Sequence, residues 1–528
     1  MGYLSVVVVV FALISGTLSG CASFSAVQSE PSYAIADTRD TRLGRGITAE
    51  THKHDAPSGF RLLGNGLDAF ATRLLLMEAA EVSLDVQYYL YHDDTTARLF
   101  THYLLRAADR GVRVRLLLDD FGHGGQEAML SALAEHPNIA VRLFNPFSNR
   151  VLPYLDFVTR FSVAHRRMHN KSFIADNQAA IIGGRNIGDT YFSADIYTNF
   201  SDLDVLGIGG FASEVSEAFD LYWNHRLAVP IRYLAPEADA DGLTAVRTQL
   251  DAARTGERSR NYLARLQSLG LLEELLEGQL EFSWAESVLI YDQPDKIINA
   301  VADNSGHLEP ALKALLAARH SEALIISPYF IPGNTGVITF SDWVNAGARV
   351  VVLTNSLAAN DVPMVHAGYA AYRKPLIRAG VQLWELRPQP DPSIRRAGGR
   401  KRPSDLAGSS RASLHAKTMV FDRSVLFVGS MNLDPRSINL NTEIGVLIFH
   451  EGLATHASDV FMAELPRHAW RLDIETSHRW WGQADALVWL DESTWPATPV
   501  SKDSEPEASA WSRFQMWLFG LLPIEGLL

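Results

Sequence analysis

From residue 67 the chain alternates between two hydrophobic periods. LDAFATRLLLMEAA (67–80) places apolar residues three and four apart, the spacing of a helix with one buried face. EVSLDVQYYL then alternates as a strand, Thr95 to Arg110 returns to helical spacing, and GVRVRLLLDD (111–120) is again a strand. The same series recurs later: LEPALKALLAARH reads as helix, SEALIISPYFI as strand, and GARVVVLTNS echoes GVRVRLLLDD. The chain is therefore predicted to be an internal duplication. Strands alternating with helices imply αβα-layered domains, and 528 residues exceed one ordinary core.

Each half continues into a pair of short apolar runs, KSFIAD with AAIIGG and KTMVFD with VLFVGS. These read as two strands joined by tight turns at Asp176-Asn177 and Asp422-Arg423. A histidine precedes each pair. His169, Lys171, Asp176, Gly183 and Asn186 recur at identical offsets as His415, Lys417, Asp422, Gly429 and Asn432. Among 17 histidines one such spacing carries little weight; two copies that agree on the distant Gly and Asn carry a great deal.

Side chains two apart on a strand share a face, so each half presents an imidazole beside an ammonium. Two imidazoles, two ammoniums and two amides suit a phosphodiester. The lysines and asparagines hold the non-bridging oxygens, one histidine attacks phosphorus, and the other moves the proton of the departing and incoming alcohols. Such chemistry needs no metal ion, and it needs the two imidazoles in opposite protonation states, which an ordinary value of about 6.5 permits near neutrality. Asp176 and Asp422 complete the motif but also fall where a turn favours Asp.

The doubled motif, with its Gly-(Gly/Ser)-x-Asn extension, resembles the paired HKD motifs of the phospholipase D superfamily and, within it, bacterial cardiolipin synthases of the C type. The resemblance runs from about Asp55 to the C-terminus. It implies two similar domains about a pseudo-twofold axis with one shared site, and metal-independent transfer of a phosphatidyl group through a phosphohistidine. By resemblance His169 is the nucleophile and His415 the general acid/base, with Lys171, Asp176, Lys417 and Asp422 completing the catalytic set. Asn186, Asn432 and Ser430 bind phosphate, although Gly184 stands where the second half has Ser430. The family also sets a carboxylate behind each histidine. Asp204 in SDLDVLGIG and Glu443 in NTEIGVLIF, each opening an apolar strand, are the expected pair. The implied substrates are phosphatidylglycerol and a second phospholipid, phosphatidylglycerol or phosphatidylethanolamine, with no cofactor. Hydrolysis to phosphatidic acid is the alternative with the same intermediate, and a nuclease-type phosphodiesterase is the more distant one.

Charge and composition narrow the choice. A net charge of −13 argues against a nucleic-acid-binding surface. Residues 1–20 carry the apolar run VVVVVFALI, too short to span a bilayer, and read as a signal peptide. The following LSGC resembles a bacterial lipobox, which makes Cys21, the sole cysteine, a candidate for lipid attachment in an envelope facing the periplasm. The expected organisation is a tether over 21–54, a first domain over 55–235, a helical connector over 236–285, a second domain over 286–475 and an apolar tail over 476–528. Arg395, Arg396, Arg400, Lys401, Arg402 and Arg411 form a basic loop suited to anionic headgroups or simply to water. Asp119 and Asp120, ending a strand, suit a cap or turn better than a metal. The tail aligns Trp511, Phe514, Trp517, Leu518, Leu521 and Leu522 on one helical stripe, fit for a membrane interface or for docking on the core.

Overall fold

Period-two burial runs through both halves and decides how they stack. On the strand Ser83–Tyr88, Leu84, Val86 and Tyr88 enter one core. On neighbouring strands Ile174, Ile182 and Val205 face the other way, into a core they share with Val420, Leu426 and Val428 of the second half. Strands covered on both faces read as continuous apolar runs, as these do. Helices Gly66–Ala79 and Thr95–Asp109 cover the outer face of the first half. Helices Gly210–Trp223 and Glu451–His468 line the shared middle.

The structure, a computed structural model, describes residues 30–528 except 196–198, 270–279, 309–311, 313, 316, 319, 389–411, 480–481, 494–497, 523–525 and 527–528. Among the described residues, 18 strands form one continuous sheet. In the first half the spatial order from the centre is 58–63, 204–209, 179–183, 172–175, 83–88, 113–119, 139–144, 228–230. The second half repeats it as 283–291, 444–449, 425–429, 417–421, 322–326, 349–355, 382–386, 469–479. The two series meet where Ser58–Leu63 pairs antiparallel with Ser283–Tyr291, Gly59 opposite Trp284. The predicted duplication is thus realised strand for strand about a pseudo-twofold axis.

Three expected boundaries shift. Residues 30–54 are not a tether: Ser32 and Glu30 carbonyls accept from Arg115 and Arg142 (2.7 and 2.8 Å), the Ala34 amide donates to Asp220 (2.8 Å), and Arg42–Thr51 is a helix capped by Thr41. In the connector, helices Gly242–Thr255 and Glu257–Gln267 bury Val246, Leu250, Tyr262 and Leu266 in the first-half core. The tail begins later than 476, because Ala469–Arg479, Gly482–Asp491 and Thr498–Lys502 extend the second half's edge of the sheet. Cys21 and the basic loop fall outside the described residues.

Candidate active site

The turn chemistry read from the sequence places the two motif strands. Asp176, Asn177, Asp422 and Arg423 all take left-handed backbone, with φ between 50° and 54°. Such a turn twists in the sense of the strands it joins, which favours Asn and Asp there. Both aspartates are then spent on the fold. Asp176 accepts from the amides of Glu81, Val82 and Ser83 at 2.8–2.9 Å, and Asp422 from the amides of Ser321 (2.6 Å) and Glu322 (3.1 Å) and from His320 Nδ1 (2.8 Å). Each pins the chain entering the neighbouring strand, at the end of the hairpin away from its histidine. The expectation that they belong to the catalytic set is corrected accordingly.

The histidines lie where chain crosses between the halves. The His169 amide donates to Thr442 O (2.9 Å) and the Thr442 amide to Arg167 O (3.0 Å). On the other side Asn199–Ser201 runs parallel to Ala412–Leu414, and the His415 amide donates to Ser201 O (2.8 Å). Each strand of chain entering a histidine therefore pairs with the chain that carries the other half's carboxylate. Glu443 sits behind His169 (Oε2 to Nδ1, 2.8 Å) and Asp202 behind His415 (Oδ2 to Nδ1, 2.6 Å). With Nδ1 donating to a carboxylate, Nε2 of each ring keeps its lone pair for chemistry.

Glu443 stands where the sequence placed it; Asp204 does not. Gly183 pairs with Asp204, whereas its counterpart Gly429 pairs with Gly445, so the residue equivalent to Glu443 is Asp202. Asp204 is buried against Arg73 (2.8 Å) and the Arg185 amide (3.2 Å), which fixes the loop carrying Asn186 and Tyr191. Gly184 also finds its reason. The Ser430 hydroxyl donates to Glu443, while the Asp202 carboxylate lies so close to Gly184 that a Cβ there would collide with it.

Lys171 and Lys417, both buried, donate to the carbonyls of their own histidines. Asn186 is committed to the Leu90 amide and the Tyr191 hydroxyl (3.1 Å each), while Asn432 Oδ1 is buried without a hydrogen-bond partner among the described residues. Two aromatic rings went unnoticed in the sequence: Tyr89 meets His169 edge-on at 5.0 Å, and Tyr191 meets His415 at 5.2 Å. Nothing in their spacing distinguishes them from core tyrosines. Asp119 is taken by Arg167 (2.7 Å) and the Met168 amide (2.9 Å), and Asp120 by Arg150 (2.6 Å) and His123 (3.1 Å).

Burial sets the protonation states, and both histidines shift the same way. Burial, with the charges of Lys171 and Lys417, holds His169 well below the ordinary imidazole range. Burial and Lys417 bring His415 to about 4 against the pull of Asp202. Burial lifts Glu443 to about 7, opposed by Lys171 and Ser430. At Asp202 burial is overcome by His415 and Lys417, and the carboxylate falls to about 2. Burial also lowers Lys171 to about 7 and Lys417 to about 8. The expectation of imidazoles near their ordinary value is therefore replaced: without substrate both rings are neutral at pH 7. An anionic phosphodiester entering between two lysines would stabilise every cation there and draw protons in.

Comparisons with known proteins agree with the duplication of the fold. The family model "Cardiolipin synthase, PLD-like domain" matches residues 74–223 and 312–465, one match in each half. Cardiolipin synthase C of Escherichia coli K12 is 40% identical over 92% of this chain and 100% of its own length. Cardiolipin synthase A of Pseudomonas putida is 25% identical over 79% of this chain and 71% of its own. Among solved structures, phosphatidylserine synthase of Haemophilus influenzae superposes with a TM-score of 0.52 at 15% identity, over 81% of this chain and 92% of the other, a likeness of fold.

Proposed function

The chain belongs to the family of phospholipase D-like cardiolipin synthases, and from that premise we propose the course of its reaction. It is a phosphatidyltransferase that makes cardiolipin. The donor is phosphatidylglycerol: His169 Nε2 attacks phosphorus, His415 protonates the departing glycerol, and a phosphatidyl-His169 adduct remains. His415 then removes the proton from a headgroup hydroxyl of a second phospholipid, whose oxygen takes the phosphorus and frees His169. Lys171, Lys417 and Asn432 hold the non-bridging oxygens. The carboxylates support this division: both rings are neutral in the empty site, but Asp202 behind His415 is held ionised whereas burial lifts Glu443 behind His169 to about 7, so an imidazolium formed as substrate enters has its charged partner at His415.

Envelope attachment belongs to the same reading. LSGC around Cys21 offers lipid anchoring on the periplasmic side. The helix Ala510–Phe519 supports a membrane-facing role, since Trp511, Phe514, Trp517 and Leu518 are exposed on it rather than docked. No described helix is long and apolar enough to cross a membrane.

The test is product analysis. Purified protein with phosphatidylglycerol vesicles and a chelator is expected to release cardiolipin and glycerol in equal amounts, at a rate the chelator leaves unchanged. Phosphatidic acid as sole product would make water the acceptor and overturn the transferase reading.

A further inference from the structure

Between the strand Ile139–Phe144 and His169 the chain builds an apolar prominence that the reaction itself does not use. Val151 is 86% exposed and Val158 81%, and Leu152, Leu155 and Phe161 are exposed beside them. These residues stand on a fixed platform. Asn149 Oδ1 accepts from the amides of Val151 (3.1 Å) and Leu152 (2.9 Å), and buried Asp156 accepts from the Ser148 amide (2.6 Å) and Arg160 (3.3 Å). Phe157 packs beneath, 5.6 Å from Phe147 and 6.3 Å from Phe121.

Phe121 joins this prominence to the site. Its half-exposed ring stacks on Tyr89 at 6.2 Å, and Tyr89 meets the His169 imidazole at 5.0 Å. A chain of ring contacts thus runs from Phe157, in the same segment as the exposed residues, through Phe121 and Tyr89 to the nucleophile. We propose that the rim formed by Val151, Leu152, Leu155, Val158 and Phe161 dips into the lipid bilayer, so that a donor whose acyl chains stay in the membrane brings its phosphodiester to His169.

The inference rests on the phosphatidyltransferase reading, in which the phosphorus attacked by His169 carries a diacylglycerol that must stay in an apolar medium. Charge favours lipid over a protein partner or a second copy of the chain. Between residues 150 and 163 the one carboxylate, Asp156, is buried, and the other charges are Arg150 and Arg160, which an anionic surface tolerates. A patch of large apolar residues whose own segment carries no exposed carboxylate, and whose Arg150 neutralises the neighbouring Glu127 (3.1 Å), is suited to insertion between headgroups.

The test compares two presentations of one substrate. The triple variant Val151→Ser, Leu152→Ser, Val158→Ser is expected to lose about tenfold or more of its rate on phosphatidylglycerol vesicles, since exposed apolar area drives insertion. On monomeric short-chain phosphatidylglycerol, which needs no bilayer, it should stay within about twofold of the parent. Hydrogen exchange supplies a readout independent of turnover: backbone amides of 150–162 should slow when vesicles are added to the unaltered protein. Equal loss on both presentations, full activity on vesicles, or unchanged exchange in vesicle-bound protein would each overturn the rim. Slowed exchange in a protein that makes only phosphatidic acid would keep the rim and overturn the transferase.

Discussion

Asp202 and Asp204, two residues apart, do different work, and substitution separates them. Asp202→Asn removes the charge that orients and stabilises His415. It should lower turnover roughly 10²- to 10⁴-fold, the scale of losing a histidine's carboxylate partner, with little change in melting temperature. Asp204→Asn strips Arg73 of its buried partner and should cost about 3–5 kcal/mol of stability, read by denaturant unfolding. The opposite pattern would restore the sequence-based assignment. The sequence showed an acidic residue opening a strand after each motif, but 18 residues separate Gly184 from Asp202 and only 13 separate Ser430 from Glu443. Without the strand register, that difference in loop length hides which aspartate matches Glu443.

The lysines give the pH dependence. Lys171 and Lys417 sit at about 7 and 8 in the empty site, so their charges are lost as pH rises through that range. Bound phosphodiester holds them charged to higher pH. In kcat/KM, which reports the free enzyme, the lysines should therefore add a fall between about pH 7 and 8 to the earlier loss of the His415 proton near pH 4, and in kcat the fall due to the lysines should lie at higher pH. The acid limb of kcat/KM should fall below 6.5, because His169 is depressed and stays neutral in mild acid. Coincident basic limbs for the two parameters would show that substrate does not sit between the lysines.

At the scale of elements, periodicity carried most of the fold. Strands buried on both faces announce themselves as apolar runs, and the match of GVRVRLLLDD to GARVVVLTNS became two strands at equivalent places, 113–119 and 349–355. The segment 30–54 escaped because its attachment is polar: it offers carbonyls to Arg115 and Arg142 and a capped helix, none of which has a hydrophobic period. With removal of residues 1–29 as the reference, removal through residue 54 takes away the carbonyl partners of Arg115 Nη1 and Arg142 Nη2, although Arg115 keeps Asp85 and Arg142 keeps the Trp223 carbonyl. The longer truncation should cost several kcal/mol, roughly 1–3 for each unsatisfied group, and lower the melting temperature accordingly. Equal melting temperatures for the two truncations would return the segment to the status of a tether.

At the scale of the molecule the duplication explains why one site needs both halves. Each repeat supplies a histidine and lysine to its own motif and a carboxylate to the other's histidine, so neither half holds a complete catalytic pair. The doubled motif made a shared site legible in the sequence. The crossing of the carboxylates was not, because it depends on Thr442 meeting Arg167 and His169, and Ser201 meeting His415, across the pseudo-twofold axis.

The proposed division gives attack to His169 and proton transfer to His415, and a phosphatidyl ester of p-nitrophenol tests it most directly, because its leaving group departs without an acid. His415→Ala should release a burst of about one p-nitrophenol per chain and then stall, with the phosphatidyl adduct found by mass spectrometry on the peptide containing His169. His169→Ala should release none. A burst from His169→Ala with the adduct on His415, or steady turnover by His415→Ala with no adduct at all, would contradict the two-histidine division of labour.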